Sequence, residues 1–147
     1  MAQTLKDELL PIVVPPDLGA YCPDLAQWPA SWCGEERDVI PGASIVAVFT
    51  PFLMDLLAQG LLRKTRNLHR DNLWLLGGEI IRDINNTPKL RKRAVEELIR
   101  EAIDEEGGPL LHGYSCEQEQ RSFDSTCRRL NRFLAAHANS DRHCIPI

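Results

Sequence analysis

Residues 60–76, GLLRKTRNLHRDNLWLL, gather the side chains of this chain best suited to chemistry. Four cations, Arg63, Lys64, Arg66 and Arg70, stand where an amphipathic segment begins. A helix N-terminus already carries about half a positive charge, so cations stacked there repel it unless an anion is bound. Phosphate is the anion such an edge takes most readily, and nucleic acid is its most abundant polymeric source. Lys89, Arg91, Lys92 and Arg93 make a second basic run, and Arg121, Arg128, Arg129 and Arg132 lie on a later amphipathic segment. Arg121, Arg128 and Arg132 step by seven and four and share one helical face, with Arg129 a turn aside. Against the phosphate reading stands a solvated surface whose charges pair locally, as Arg66 or Arg70 could with Asp71 and Arg128 with Asp124.

Other residue types carry less. The five cysteines, Cys22, Cys33, Cys116, Cys127 and Cys144, lack the close spacing of a zinc site and read as reduced structural thiols. His69 falls on a core-facing ridge, while His112, His137 and His143 have no metal spacing with a carboxylate. Glu96-Glu97 and Asp104-Glu105-Glu106 are adjacent and point apart on a helix, which makes them poor candidates for acid–base work. No catalytic residue, metal or cofactor is expected, and the chain reads as a non-enzyme.

At 147 residues the chain fits one domain. Its net charge of -4 conceals an asymmetry: residues 1–60 carry -6, residues 61–100 carry +5 and residues 101–147 carry -3. The most apolar run, residues 45–57, is interrupted by Thr50, Pro51 and Asp55, so no membrane helix is expected. The N-terminus does not read as a secretory signal, and the expected compartment is the cytoplasm.

The elements that must position these residues are helical. Residues 1–49 are proline-rich and read as an irregular arm whose Trp28 and Trp32 lie down on the core, or alternatively reach a protein partner. Residues 45–49 are the one strand-like segment. A first helix is expected with Thr50 as N-cap, Pro51 at its first position and Gly60 just past its end. A second runs from Lys64 or Thr65 to about Asn85, with Leu73, Leu76, Ile80 and Ile84 stepping by three and four. Gly77-Gly78 inside it points to a close crossing or a kink. A third lies between Pro88 and Asp104. The fourth starts from a Ser115/Gln118 capping box and carries Phe123, Cys127, Leu130 and Leu134. Residues 50–138 thus form an all-α four-helix domain, and residues 139–147 a loose tail.

Gly60-Leu61, Thr65, His69, Asn72, Leu73 and Leu76, followed by Cys127, Leu130, Phe133 and Leu134, resemble the core-binding domain of phage-type tyrosine recombinases. The chain departs from that pattern at Leu62, where serine is usual, at His69, where an aromatic is usual, and in Gly77-Gly78. The catalytic half is missing: neither Tyr21 nor Tyr114 has the context of the nucleophile. The resemblance implies a four-helix, SAM-like bundle that clamps duplex DNA without cutting it, from a mobile element or phage. The DNA-contacting residues expected are Arg63, Lys64, Arg66, Arg70, Lys92, Arg93, Arg128 and Arg132. The alternative is a protein-interaction module that binds a partner through Trp28 and Trp32 and leaves the basic stretch as solvated surface.

Overall fold

The computed structural model describes residues 16–112 and 116–144, with side chains over 17–112 and 116–137. All regular structure among them is helical. In chain order the helices are α1 (Pro16–Tyr21), α2 (Trp28–Trp32), α3 (Val39–Ala58), α4 (Arg63–Asn86), α5 (Val95–Ala102) and α6 (Glu117–Cys144). Short 3-10 turns precede α2 (Leu25–Gln27) and α3 (Glu36–Asp38), and a third, Pro88–Lys92, joins α4 to α5.

The central element is α3, which packs against α1, α2, α4 and α5. Its buried side chains Ile45, Val46, Phe49, Phe52, Leu53 and Leu56 step by three and four through Pro51. The expected boundary at Thr50 is therefore corrected: Thr50 is no cap, and its hydroxyl donates to the Val46 carbonyl (2.7 Å) inside a continuous helix. An interior proline costs about 3 kcal/mol, whereas each fully buried apolar side chain contributes roughly 1.5–3 kcal/mol. Six of them on one stripe outweigh the proline. The same burial makes residues 45–49 helical, although their β-branched run reads as a strand. With the preceding turn, Glu36–Ala58 is long and apolar enough to cross a bilayer by length and composition; here it lies at the centre of the helical core.

The arm expected over residues 1–49 is helical where it is described. Pro29 sits at the beginning of α2 rather than breaking it. Trp28 and Trp32, 2% and 8% exposed, pack with ring centroids 5.7 Å apart and belong to the core, so they offer no free surface to a partner. The Trp32 indole lies over Gly77, where a Cβ would run into its six-membered ring, and its Nε1 donates to the Trp74 carbonyl (3.0 Å). The expected close crossing at the glycine pair is thus a contact with an indole. Below it, Leu73, Leu76, Ile80 and Ile84 of α4 share the core with Leu98, Ile99, Phe123, Cys127, Leu130 and Leu134. At its C-terminal end α6 is helical to Cys144, within the stretch expected from residue 139 as a loose tail, and residues 145–147 lie outside the described residues. Ser115 lies outside the described residues.

Candidate nucleic-acid interface

A left-handed glycine, Gly60 (φ 68°), follows α3, and three residues later α4 begins. Leu62 occupies the N-cap position and offers no side-chain acceptor. The first intrahelical bond runs from the Arg66 N–H to the Leu62 carbonyl (3.0 Å), so the amides of Arg63, Lys64 and Thr65 have no partner within the helix. No acidic residue occupies the first turn. Arg63 and Lys64 are exposed and make no ion pair among the described residues. With Thr65, Asn67, Leu68 and Asp71 they line an open groove of about 550 Å3.

Arg66 and Arg70 flank the Tyr21 ring, their guanidinium carbons 5.7 and 5.8 Å from its centroid. The Tyr21 hydroxyl donates to the Arg66 carbonyl. Burial pushes this phenol up to about 12, and the charges of Arg70 and Arg66 only partly oppose the shift. Arg70 also donates to the Tyr21 carbonyl (2.9 Å) and pairs with Asp71 (3.0 Å). The two arginines thereby pin α1 onto α4 and are themselves half-buried.

Tertiary packing adds cations from α6. Thr126 of that helix meets α4 in a buried polar cluster. It lies 2.7 Å from His69 Nδ1, and Asn72 Nδ2 donates to Thr126 Oγ1 (2.9 Å) and to the Ser122 carbonyl (3.1 Å). Burial, reinforced by the Arg129 charge, lowers the His69 pKa. Arg129 itself donates to Gln59 at the corner between α3 and α4 (3.2 Å). One turn on, Phe133 packs edge-on against Phe52. By helical spacing Arg132 lies on the flank of Arg129, exposed and free of ion pairs among the described residues. The α4 start therefore carries Arg63, Lys64, Arg66 and Arg70, with Arg129 held at the corner before it and Arg132 next to Arg129 along α6. The carboxylates beside them are Asp24, Asp55 and Asp71, of which Asp55 is held by Gln59 (2.6 Å).

The other expected residues are elsewhere. Lys92 and Arg93 follow the far end of α4, about 36 Å from its start at 1.5 Å per residue. Lys92 is exposed, and Arg93 is occupied by Glu101 and Glu97. Arg91 of the same run is bound by Asp38 and Glu35 (2.8 Å each). Arg128 donates to the Glu106 carbonyl (3.3 Å) rather than pairing with Asp124, whose carboxylate accepts from the Gly108 amide (3.1 Å). Arg121 pairs with Glu117. Arg129, absent from the expected set, could be found only by knowing that α6 crosses the corner at Gln59.

The remaining titratable groups serve packing. Burial raises the Cys22 and Cys127 thiols to about 12, with Asp24 and Asp124 adding to the shift. His112 donates its amide to Glu79 (3.1 Å), and its ring lies 2.7 Å from the same carboxylate, tying the loop before α6 to α4. Among the described residues no group of three His, Cys, Asp or Glu side chains is placed to hold a metal ion. No family model, curated protein or solved structure matches the chain.

Proposed function

We propose that this protein is a non-enzymatic DNA-binding protein that holds the phosphate backbone of a duplex against the start of α4. The observation that carries this reading is the uncapped, acid-free first turn of α4, with Arg63 and Lys64 making no ion pair among the described residues and Arg129 of α6 held at the corner before it. Exposed amides at a helix N-terminus and long cations around them suit phosphate oxygens, which position a protein on DNA without reading its sequence. The resemblance to recombinase core-binding domains implies a DNA-facing role for the basic residues at the start of α4. On that likeness the chain is a SAM-like module of a mobile element or phage that grips DNA and leaves strand cleavage to another protein. The six cations replace the more dispersed set expected from sequence: Arg63, Lys64, Arg66 and Arg70 stay, Arg132 stays, and Arg129 takes the place of Lys92, Arg93 and Arg128.

Mobility-shift titrations of a duplex at low and moderate salt test this. Each phosphate contact releases condensed counterion, so the log–log slope of affinity against salt should be about -0.9 per contact. Alanine at both Arg63 and Lys64 should flatten the slope by up to about 2 and leave the circular dichroism spectrum unchanged. Absence of binding to any duplex at low salt would remove the reading. The interaction-module alternative would then rest on the exposed face of α4, because Trp28 and Trp32 are buried.

A further inference from the structure

Beyond the basic start, α4 presents an outward ridge that its own fold leaves unexplained. Asp71, Leu75, Gly78 and Arg82 follow one another at three- and four-residue steps on the solvent side, with Trp74 on the flank. Leu75 and Trp74 are 36% and 39% exposed. Arg82 is exposed and makes no ion pair among the described residues. Gly78 differs from its neighbour Gly77. A Cβ on Gly77 would collide with the Trp32 ring, whereas a Cβ on Gly78 would meet Trp32 Cδ1 at 3.5 Å and Nε1 at 3.8 Å, both ordinary contacts. The interior of the protein therefore gives no reason for a glycine at 78, although glycine in mid-helix costs about 1 kcal/mol relative to alanine. A small residue on an exposed ridge suits the close approach of another helix backbone from outside.

The ridge is complementary to itself. If a second α4 runs antiparallel across the first, with a two-fold axis at the level of Leu76 and Gly77, Asp71 faces the second copy's Arg82 and Leu75 faces the second copy's Gly78. Symmetry repeats both contacts. Two opposite-charge pairs then bracket two leucines seated on glycines. A two-fold further toward the N-terminus, at the level of Leu73, would instead set Lys64 against the second copy's Arg82, and like charges disfavour that register.

We propose that this chain forms an antiparallel homodimer through the Asp71–Leu75–Gly78–Arg82 ridge of α4. The interface adjoins the groove of Arg63 and Lys64 at Asp71 and is argued independently of the nucleic-acid reading. At 1.5 Å per residue each basic pole lies about 20 Å from the axis, so the dimer sets two poles up to about 40 Å apart, on the scale of one duplex turn.

Sedimentation equilibrium of the full chain over a range of concentrations tests the dimer. The mass should rise with concentration from 16.6 kDa toward twice that value. Asp71→Arg and Arg82→Asp should each weaken association by about tenfold or more, because each places like charges together twice. The double exchange D71R/R82D should recover most of the loss. Gly78→Leu should abolish the dimer while the monomer keeps its helical spectrum, since the position is partly exposed and a Cβ there makes only ordinary contacts with Trp32. A wild type that stays monomeric at the highest concentration would overturn the proposal, as would charge exchanges that fail to rescue. Asp71 borders the groove of Arg63 and Lys64 and pairs with Arg70, whereas Gly78 does neither, so DNA binding by the monomeric Gly78→Leu protein would separate the two readings.

Discussion

The two ends of α4 carry comparable numbers of cations and use them differently. At the C-terminal end Asp38, fully buried, accepts from the Gly34 and Glu35 amides, Asn85 and Arg91, while Arg93 is taken up by Glu101 and Glu97. Burial alone would raise the Asp38 pKa, but those hydrogen bonds hold the carboxyl below its usual range. That end is an internal clasp, joining the start of α3 to the turn after α4. At the N-terminal end no carboxylate closes on Arg63, Lys64 or Arg132 among the described residues, and the helix dipole adds positive charge. A basic run is therefore informative only with its acids in view: where they converge it is architecture, and where they stay away its charges are left open to solvent.

The sharpest way to break the comparison is to remove the clasp. Asp38→Ala strands Arg91 and several amides in a buried site and should cost about 3–5 kcal/mol in urea unfolding, as for other broken buried pairs. An exposed, replaceable contact would lose far less. Because the folded carboxyl titrates below the unfolded one, its stabilisation is complete above the ordinary carboxylate range and is lost as pH falls through the depressed folded value. Asp38→Asn should flatten this part of the acid-unfolding curve. Unchanged acid sensitivity in that variant would place the pH dependence elsewhere.

Midway along α4 the glycine pair separates inner and outer faces. Gly77→Ala should destabilise by about 1–3 kcal/mol through overpacking against Trp32. Gly78→Ala should stabilise the monomer by roughly 0.5–1 kcal/mol through helix propensity. Thermal melts at concentrations too low for association should show shifts of opposite sign.

The smallest effect expected on the fold is the most useful for function. Lys92→Ala with Arg93→Ala should leave the salt slope of DNA binding unchanged, whereas Arg63→Ala with Lys64→Ala flattens it. Equal losses at both ends would mean that binding follows overall charge rather than the α4 start.

The apolar stripe of α4, the inward face of α6 and the buried His69 were legible in the chain because three- and four-residue periodicity reports burial directly. The start of α3 was not, because Pro51 mimics an N-terminus locally and only the summed burial of Ile45 through Leu56 overrides it. The tryptophans show the same limit: Pro29 between Trp28 and Trp32 reads as a break, whereas at the beginning of α2 it is tolerated.

By itself, then, the sequence determined that the protein is helical, which faces are apolar and that its cations cluster in the middle of the chain. Those properties depend on residues a few positions apart. Only the tertiary structure decided which cations are free. Arg91 meets an acid 53 positions away and Arg129 meets Gln59 70 positions away, and no local pattern encodes which distant side chain neutralises a charge.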